Sequence, residues 1–130
     1  MDTESVSNGT NPKRVLVVDD DGVVLSLLKV ILEAGGYSVT AASGAEAATK
    51  CFSESSGVDL LVTDVKMPGK TGVQLAAELS LKQPALPVLF ITGSGMPVKR
   101  IKGQPEPNVL AKPFDARSLL ASVQQALNAG

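Results

Sequence analysis

Four places along the chain carry residues whose types could do chemistry together. Asp19, Asp20 and Asp21 follow the apolar run Arg14-Val-Leu-Val-Val18, and Asp64 follows Leu60-Leu61-Val62-Thr63. Thr92 follows Phe90-Ile91, and Lys112 follows Asn108-Val-Leu-Ala111. Two carboxylates about 4 Å apart repel by roughly 4 kcal/mol at an effective dielectric of 20, so such a cluster calls for a cation. An all-oxygen donor set suits a hard divalent ion. Mg²⁺ is held by one or two carboxylates and several waters, with a position left for a phosphate oxygen. A lysine adds a point charge for another phosphate oxygen, and a hydroxyl donates to a third. A carboxylate is itself a nucleophile toward phosphorus and forms an aspartyl phosphate. These residue types together describe a site that makes and holds an acyl phosphate. Two assignments of the nucleophile fit: it lies within the Asp19–Asp21 cluster, or that cluster is the metal-binding half and the nucleophile lies elsewhere.

The elements that must position these residues alternate along the chain. Residues 1–12 are polar, with Gly and Pro, and read as a flexible N-terminal tail ahead of one domain over 13–129. Arg14 to Val18 reads as a buried strand, and Val23 to Ala34 as a helix stopped by Gly35-Gly36. Tyr37 to Ala41 reads as a short strand. Ser43 has Glu46 three residues later, the capping-box spacing, and this predicts a helix to about Ser53. Val58 to Thr63 is the third strand, Thr71 to about Gln83 a helix, and Pro87 to Ile91 the fourth strand. The span from Gly93 to Pro107 is rich in Gly and Pro, which leaves room only for a brief helix near Val98 to Ile101. Asn108 to Ala111 is a fifth strand. Asp115 to Ala129 closes as a helix, with Leu119, Leu120, Val123 and Leu127 on its buried face. This alternation predicts an α/β fold, a parallel sheet covered by helices on both faces. In such folds ligands bind outside the carboxyl ends of the strands. Asp19 and Asp20, Asp64, Thr92 and Lys112 all stand at those ends.

Composition removes other classes. The 130 residues carry a net charge of −1, with 3% aromatics and no Trp, which argues against nucleic-acid binding by this domain. The absence of histidine excludes Ser-His-Asp triads, Cys-His pairs and His-ligated zinc. One cysteine, Cys51, permits no internal disulfide and reads as a half-buried helix residue. No secretory signal or long apolar span is visible, so a cytoplasmic setting without membrane attachment is expected.

Four strings in order resemble the receiver domains of two-component response regulators. They are Val17-Val18-Asp19-Asp20; Leu60-Leu61-Val62-Thr63-Asp64-Val65-Lys66-Met67-Pro68 with Gly72; Phe90-Ile91-Thr92-Gly93; and Lys112-Pro113-Phe114. The resemblance covers roughly residues 13–129. It implies a doubly wound, flavodoxin-like (CheY-like) sheet of five parallel strands in the order 2-1-3-4-5. It implies that Asp64 is the phosphoryl acceptor and that Asp19, Asp20, Asp64 and the backbone carbonyl of Lys66 hold Mg²⁺. Thr92 and Lys112 would bind the phosphoryl group, Gly93 would leave open space beside it, and the Lys112–Pro113 bond would be cis. The implied partner is a sensor histidine kinase or a histidine phosphotransfer protein, because the chain has no histidine of its own. The domain would catalyse its own phosphorylation and dephosphorylation, as a switch rather than a dedicated enzyme.

Two other classes stand beside this one. Asp19-Asp20-Asp21-Gly22-Val23 also resembles the D-x-D-G-[TV] motif of haloacid-dehalogenase-type phosphatases, with Asp19 as nucleophile. That fold needs a further acidic strand end after its lysine, and the only acid after Lys112 is Asp115, with no strand before it. The third class is a receiver-fold interaction module that turns over no phosphate. Two departures from the receiver pattern bear on signalling. Val109 stands three residues before the lysine, where an aromatic is usual, and the segment between Thr92 and Lys112 is shorter and richer in Pro than usual. Within the matching string, Lys66 puts a long cation at the pocket mouth, two residues past Asp64, where it would screen a phosphoryl group from water.

Overall fold

The computed structural model describes residues 12–93, Val98 and residues 106–129. The tail and the brief helix expected near Val98 to Ile101 lie outside the described residues, apart from Pro12 and Val98. The elements are β1 (Arg14–Val18), α1 (Gly22–Ala34), β2 (Ser38–Ala42), α2 (Ala45–Glu54), β3 (Leu60–Asp64), α3 (Gly72–Lys82), β4 (Val88–Thr92), β5 (Asn108–Ala111) and α4 (Ala116–Ala129). All four strand pairings are parallel, and the sheet order is β2-β1-β3-β4-β5, as expected.

Strand periodicity sorts the core onto two faces. Successive side chains point to opposite sides of a sheet, so a strand buried on both faces reads as a continuous apolar run. Leu16, Val18, Leu61 and Phe90 pack on one side with Ala48 and Phe52 of α2 and Leu75 and Leu79 of α3. Val15, Val17, Leu60, Val62, Leu89 and Ile91 pack on the other with Leu28 and Leu32 of α1 and Leu119, Val123 and Ala126 of α4. Leu120 and Leu127 are only partly buried, so the face of α4 is centred on Leu119, Val123 and Ala126. Cys51 is half-buried against the first cluster.

Local chemistry sets the helix starts. Asp21 caps α1, its Oδ1 accepting from the backbone N–H of Val23 at 2.9 Å and of Val24 at 3.4 Å. Thr71 and Gln74 form a reciprocal capping box at α3. Asp115 and Ser118 do the same for α4: Ser118 N–H donates to Asp115 Oδ1 at 2.8 Å and Asp115 N–H to Ser118 Oγ at 3.1 Å. The expectation at α2 was wrong. Gly44, not Ser43, is the N-cap residue, and no side chain caps the helix. Glu46 instead lies in the first turn, where its charge meets the positive end of the helix dipole. Three strands also begin later than expected, β4 at Val88 rather than Pro87. Tyr37 donates its N–H back to Leu32 O, which closes the end of α1, so β2 starts at Ser38. Val58 bonds through both backbone groups to the side-chain amide of Gln83, so β3 starts at Leu60.

Candidate functional site

The carboxyl ends of β1, β3, β4 and β5 bring the candidate residues to one edge. Asp19 follows β1 directly and is fully buried, its N–H donating to Ala42 O at 3.2 Å. Its Oδ1 accepts from the N–H of Asp21 at 2.8 Å, which turns the chain out of the sheet toward α1. Asp20 is exposed. Asp64 ends β3 and is buried, with 7% of its surface accessible. Asp19, Asp20 and Asp64 each offer a carboxylate oxygen, and these oxygens lie within 4.8 Å of one another.

Lys112 answers this charge from the far side. Its Nζ lies 3.3 Å from Asp64 Oδ2 and 3.5 Å from Asp19 Oδ2. The backbone holds it there: its N–H donates to Thr92 O at 2.8 Å, and the Lys112–Pro113 peptide is cis, as the resemblance implied. Thr92 is buried at the end of β4, with its Oγ1 donating to Gly93 O at 3.1 Å. Among the described residues, a Cβ on Gly93 would meet nothing within 4 Å, so they leave the space beside Thr92 open.

Burial and charge act unequally on the two partners of this ion pair. Burial pushes the Asp19 carboxyl above its ordinary range. The Asp21 N–H and the Lys112 charge oppose this, and the negative charge of Asp64 adds to it. Lys112 also loses solvation, which favours its neutral form, but it faces two carboxylates, and their attraction holds its ammonium above the ordinary lysine value. Asp19 has one cation beside it along with the carboxylates of Asp20 and Asp64, whereas Lys112 is paired with two anions.

The other expected residues lie around this centre. Lys66 is exposed two positions after Asp64. Val109 sits in β5 in register with Phe90 and is 42% exposed. Sequence reasoning gave no role to two further residues. Gly72, the first residue of α3, approaches so closely that a Cβ there would lie 2.0 Å from the backbone oxygen of Asp64. Thr63 is fully buried and donates its hydroxyl to that same oxygen at 2.9 Å. Both stood in the strings quoted for the resemblance, and Thr63 is also a hydroxyl in an otherwise apolar strand.

Comparison with known proteins agrees with this geometry. The chain matches the response regulator receiver domain over residues 15–124. It is 34% identical over 120 residues to the transcriptional regulatory protein AruR of Pseudomonas aeruginosa, covering 88% of this chain and 49% of that one. It is 37% identical over 119 residues to the transcriptional regulatory protein GlrR of Escherichia coli K12, covering 89% of this chain and 26% of that one. The chain thus spans half or less of these curated relatives. Among solved structures, a putative response regulator from Chloroflexus aurantiacus superposes with a TM-score of 0.76 at 30% identity, covering 90% of this chain and 98% of that one. The receiver domain of the hybrid histidine kinase CckA superposes with a TM-score of 0.72 at 32% identity, covering 88% and 98%. With five parallel strands in the order β2-β1-β3-β4-β5 and this match over most of its length, the chain belongs to the receiver domain family of two-component response regulators.

Proposed function

We propose that this receiver domain takes a phosphoryl group from a partner phosphohistidine onto Asp64, with Mg²⁺ as cofactor, and later loses it to water. The observation that carries this reading is the convergence of three carboxylates and one lysine at a single sheet edge, with the Thr92 hydroxyl on the neighbouring strand end. The donor set fits a hard cation: it is all oxygen, two of its carboxylates are buried, and one lysine cannot neutralise three acids. Asp19, Asp20 and Asp64 would hold the ion, together with the backbone carbonyl of Lys66. When bound, Mg²⁺ supplies positive charge to the carboxylates and to the incoming phosphoryl oxygens.

In the transfer, a carboxylate oxygen of Asp64 forms a bond to phosphorus. The phosphorus–nitrogen bond to the partner imidazole breaks, its electron pair staying on that nitrogen. Lys112 holds the Asp64 carboxylate by Oδ2 beforehand and pairs with a phosphoryl oxygen afterwards. Thr92 gives up its bond to Gly93 O and donates to another phosphoryl oxygen, a charge-assisted and therefore stronger bond. The open space at Gly93 receives the group. The partner is a sensor histidine kinase or a histidine phosphotransfer protein, met in the cytoplasm. No helix among the described residues is long and apolar enough to cross a membrane.

Treatment with a small acyl-phosphate donor, with and without Mg²⁺, tests this by intact mass and peptide mapping. The native chain gains one phosphoryl group on Asp64 when Mg²⁺ is present. Asp64→Asn gains none, and Asp20→Ala no longer responds to Mg²⁺. Label that persists in Asp64→Asn and vanishes in Asp19→Asn establishes the dehalogenase-type reaction instead. A native chain that takes no label is an interaction module.

A further inference from the structure

Thr63 is a buried polar side chain that the transfer described above does not use. It points to the face of the sheet where its strand neighbours Leu61 and Val65 join the core beneath α2 and α3. A hydroxyl in that position costs stability unless it is bonded. Its bond is to the backbone oxygen of Asp64, the proposed acceptor, at 2.9 Å.

That oxygen belongs to a peptide unit held on every side. Its N–H end, on Val65, donates to Ile91 O at 3.0 Å. The next carbonyl, of Val65, accepts from Gly72 N–H at 2.8 Å. Gly72 itself covers the Thr63–Asp64 bond: a Cβ there would stand 2.0 Å from Asp64 O and 3.0 Å from Thr63 Oγ1. Thus two consecutive peptides after the acceptor are pinned by three hydrogen bonds, and only the Thr63 bond comes from a side chain. The second of these peptides leads directly into Lys66, whose carbonyl is a candidate ligand.

We propose that Thr63 is a positioning residue: its hydroxyl fixes the peptide after Asp64, and so aims both the Asp64 carboxylate and the Lys66 carbonyl at the cation. This rests on the functional reading above. Groups that orient metal ligands from behind alter metal affinity by about 10- to 100-fold when removed. Thr63 acts through one neutral bond on the backbone, which places its effect near the lower figure.

The test compares substitutions that differ only in the hydroxyl. Thr63→Val keeps the shape and loses the bond. Thr63→Ser keeps the bond and loses a methyl group. If Thr63→Val does not fold, Thr63→Ala against Thr63→Ser makes the same comparison. Mg²⁺ affinity is read by isothermal titration, and phosphoryl uptake by the acyl-phosphate assay. We expect Thr63→Val to bind Mg²⁺ about tenfold more weakly and to label more slowly. Thr63→Ser should stay within about twofold of the native chain in both. A purely structural role would lower the melting temperature of Thr63→Val and leave its Mg²⁺ affinity native, and that result overturns the proposal. A native chain that binds no Mg²⁺ and takes no label overturns the functional reading itself, and the positioning role with it.

Discussion

Replacing Gly72 with alanine tests how tightly α3 is pressed against β3, the strand that ends in Asp64. The backbone torsion at Gly72 is not in the left-handed region, so any cost comes from space alone. The new Cβ would meet Asp64 O at 2.0 Å, Asp64 C at 3.0 Å and Thr63 Oγ1 at 3.0 Å. Reaching an ordinary contact of 3.4 Å from the oxygen requires a shift of ~1.4 Å between the start of α3 and the end of β3. The obstacle is backbone, so no flexible side chain can give way. The Gly72 N–H bond to Val65 O, at 2.8 Å, lies in the path of that shift. Overpacking a dense interior costs about 1–3 kcal/mol, and a backbone clash belongs at the upper end, about 3 kcal/mol. In a domain of this size that lowers Tm by roughly 10 °C. Because the displaced atoms include the backbone of Asp64, the proposed acceptor, phosphoryl uptake should fall as well, by about 100-fold for a misplacement near 1 Å. Gly22→Ala is the control. Among the described residues a Cβ there meets nothing within 4 Å, and it needs no left-handed torsion, so the same exchange should stabilise by about 0.5 kcal/mol through the unfolded chain. Urea unfolding and the acyl-phosphate assay read both quantities. A Gly72→Ala variant within about 0.5 kcal/mol of the native chain, with native uptake, would refute the close-approach argument.

Other substitutions probe the site and its supports. If the exposed cation two residues past Asp64 covers the proposed phosphoryl group from water, Lys66→Ala should shorten the life of the aspartyl phosphate. An equal or longer lifetime by phosphate release would show the side chain to be solvated. Asp21→Ala should cost about 1 kcal/mol in urea unfolding, since it removes the cap from two N–H groups of α1. Asp115 is held below its ordinary pKa of 3.8, first by the N–H of Ser118. A lowered folded pKa gives stability that is present above the unfolded value and lost as pH falls through the folded one. The stability difference between the native chain and Asp115→Asn should therefore be full above pH 3.8 and close below it, as followed by melting at stepped pH.

The order of elements was legible because it rests on short-range signals. Apolar runs ending in acids mark strands that lead into a polar edge. Asp21, Thr71 and Asp115 are side-chain caps of a kind that sequence shows directly. The misplaced start of α2 shows the limit of that approach. Ser43 has the right spacing to Glu46, but spacing does not decide where the chain leaves the sheet. β2 runs on to Ala42, where the carbonyl of Ala42 holds the N–H of Asp19, and the helix then begins only at Ala45. The late start of β3 has a similar cause. Gln83 lies 25 residues from Val58 and takes both of its backbone groups, a contact that no local pattern announces.

The candidate site divides along the same line. Asp19, Asp64, Thr92 and Lys112 could be named from sequence because a parallel sheet delivers strand ends to one edge, so position in the strand stands in for position in space. Thr63 and Gly72 could not be assigned, because what they do depends on atoms other than their own side chains. A threonine inside an apolar strand and a glycine at a helix start each have ordinary explanations when read alone. Their meaning comes from meeting at one backbone oxygen, which α3 reaches only after the Met67-Pro68-Gly69 turn has brought it back over β3. Gly69 makes that return with a φ of 76°, a torsion that glycine adopts without steric cost. Side chains that touch a phosphoryl group must be of particular chemical types, and those types are visible in a list of residues. Groups that aim the acceptor act through the backbone, where chemical type matters less than closeness of approach. In the proposed reading, the chemistry of Asp64 is therefore written in residue identities, while its aim would be set by how tightly α3 closes on β3.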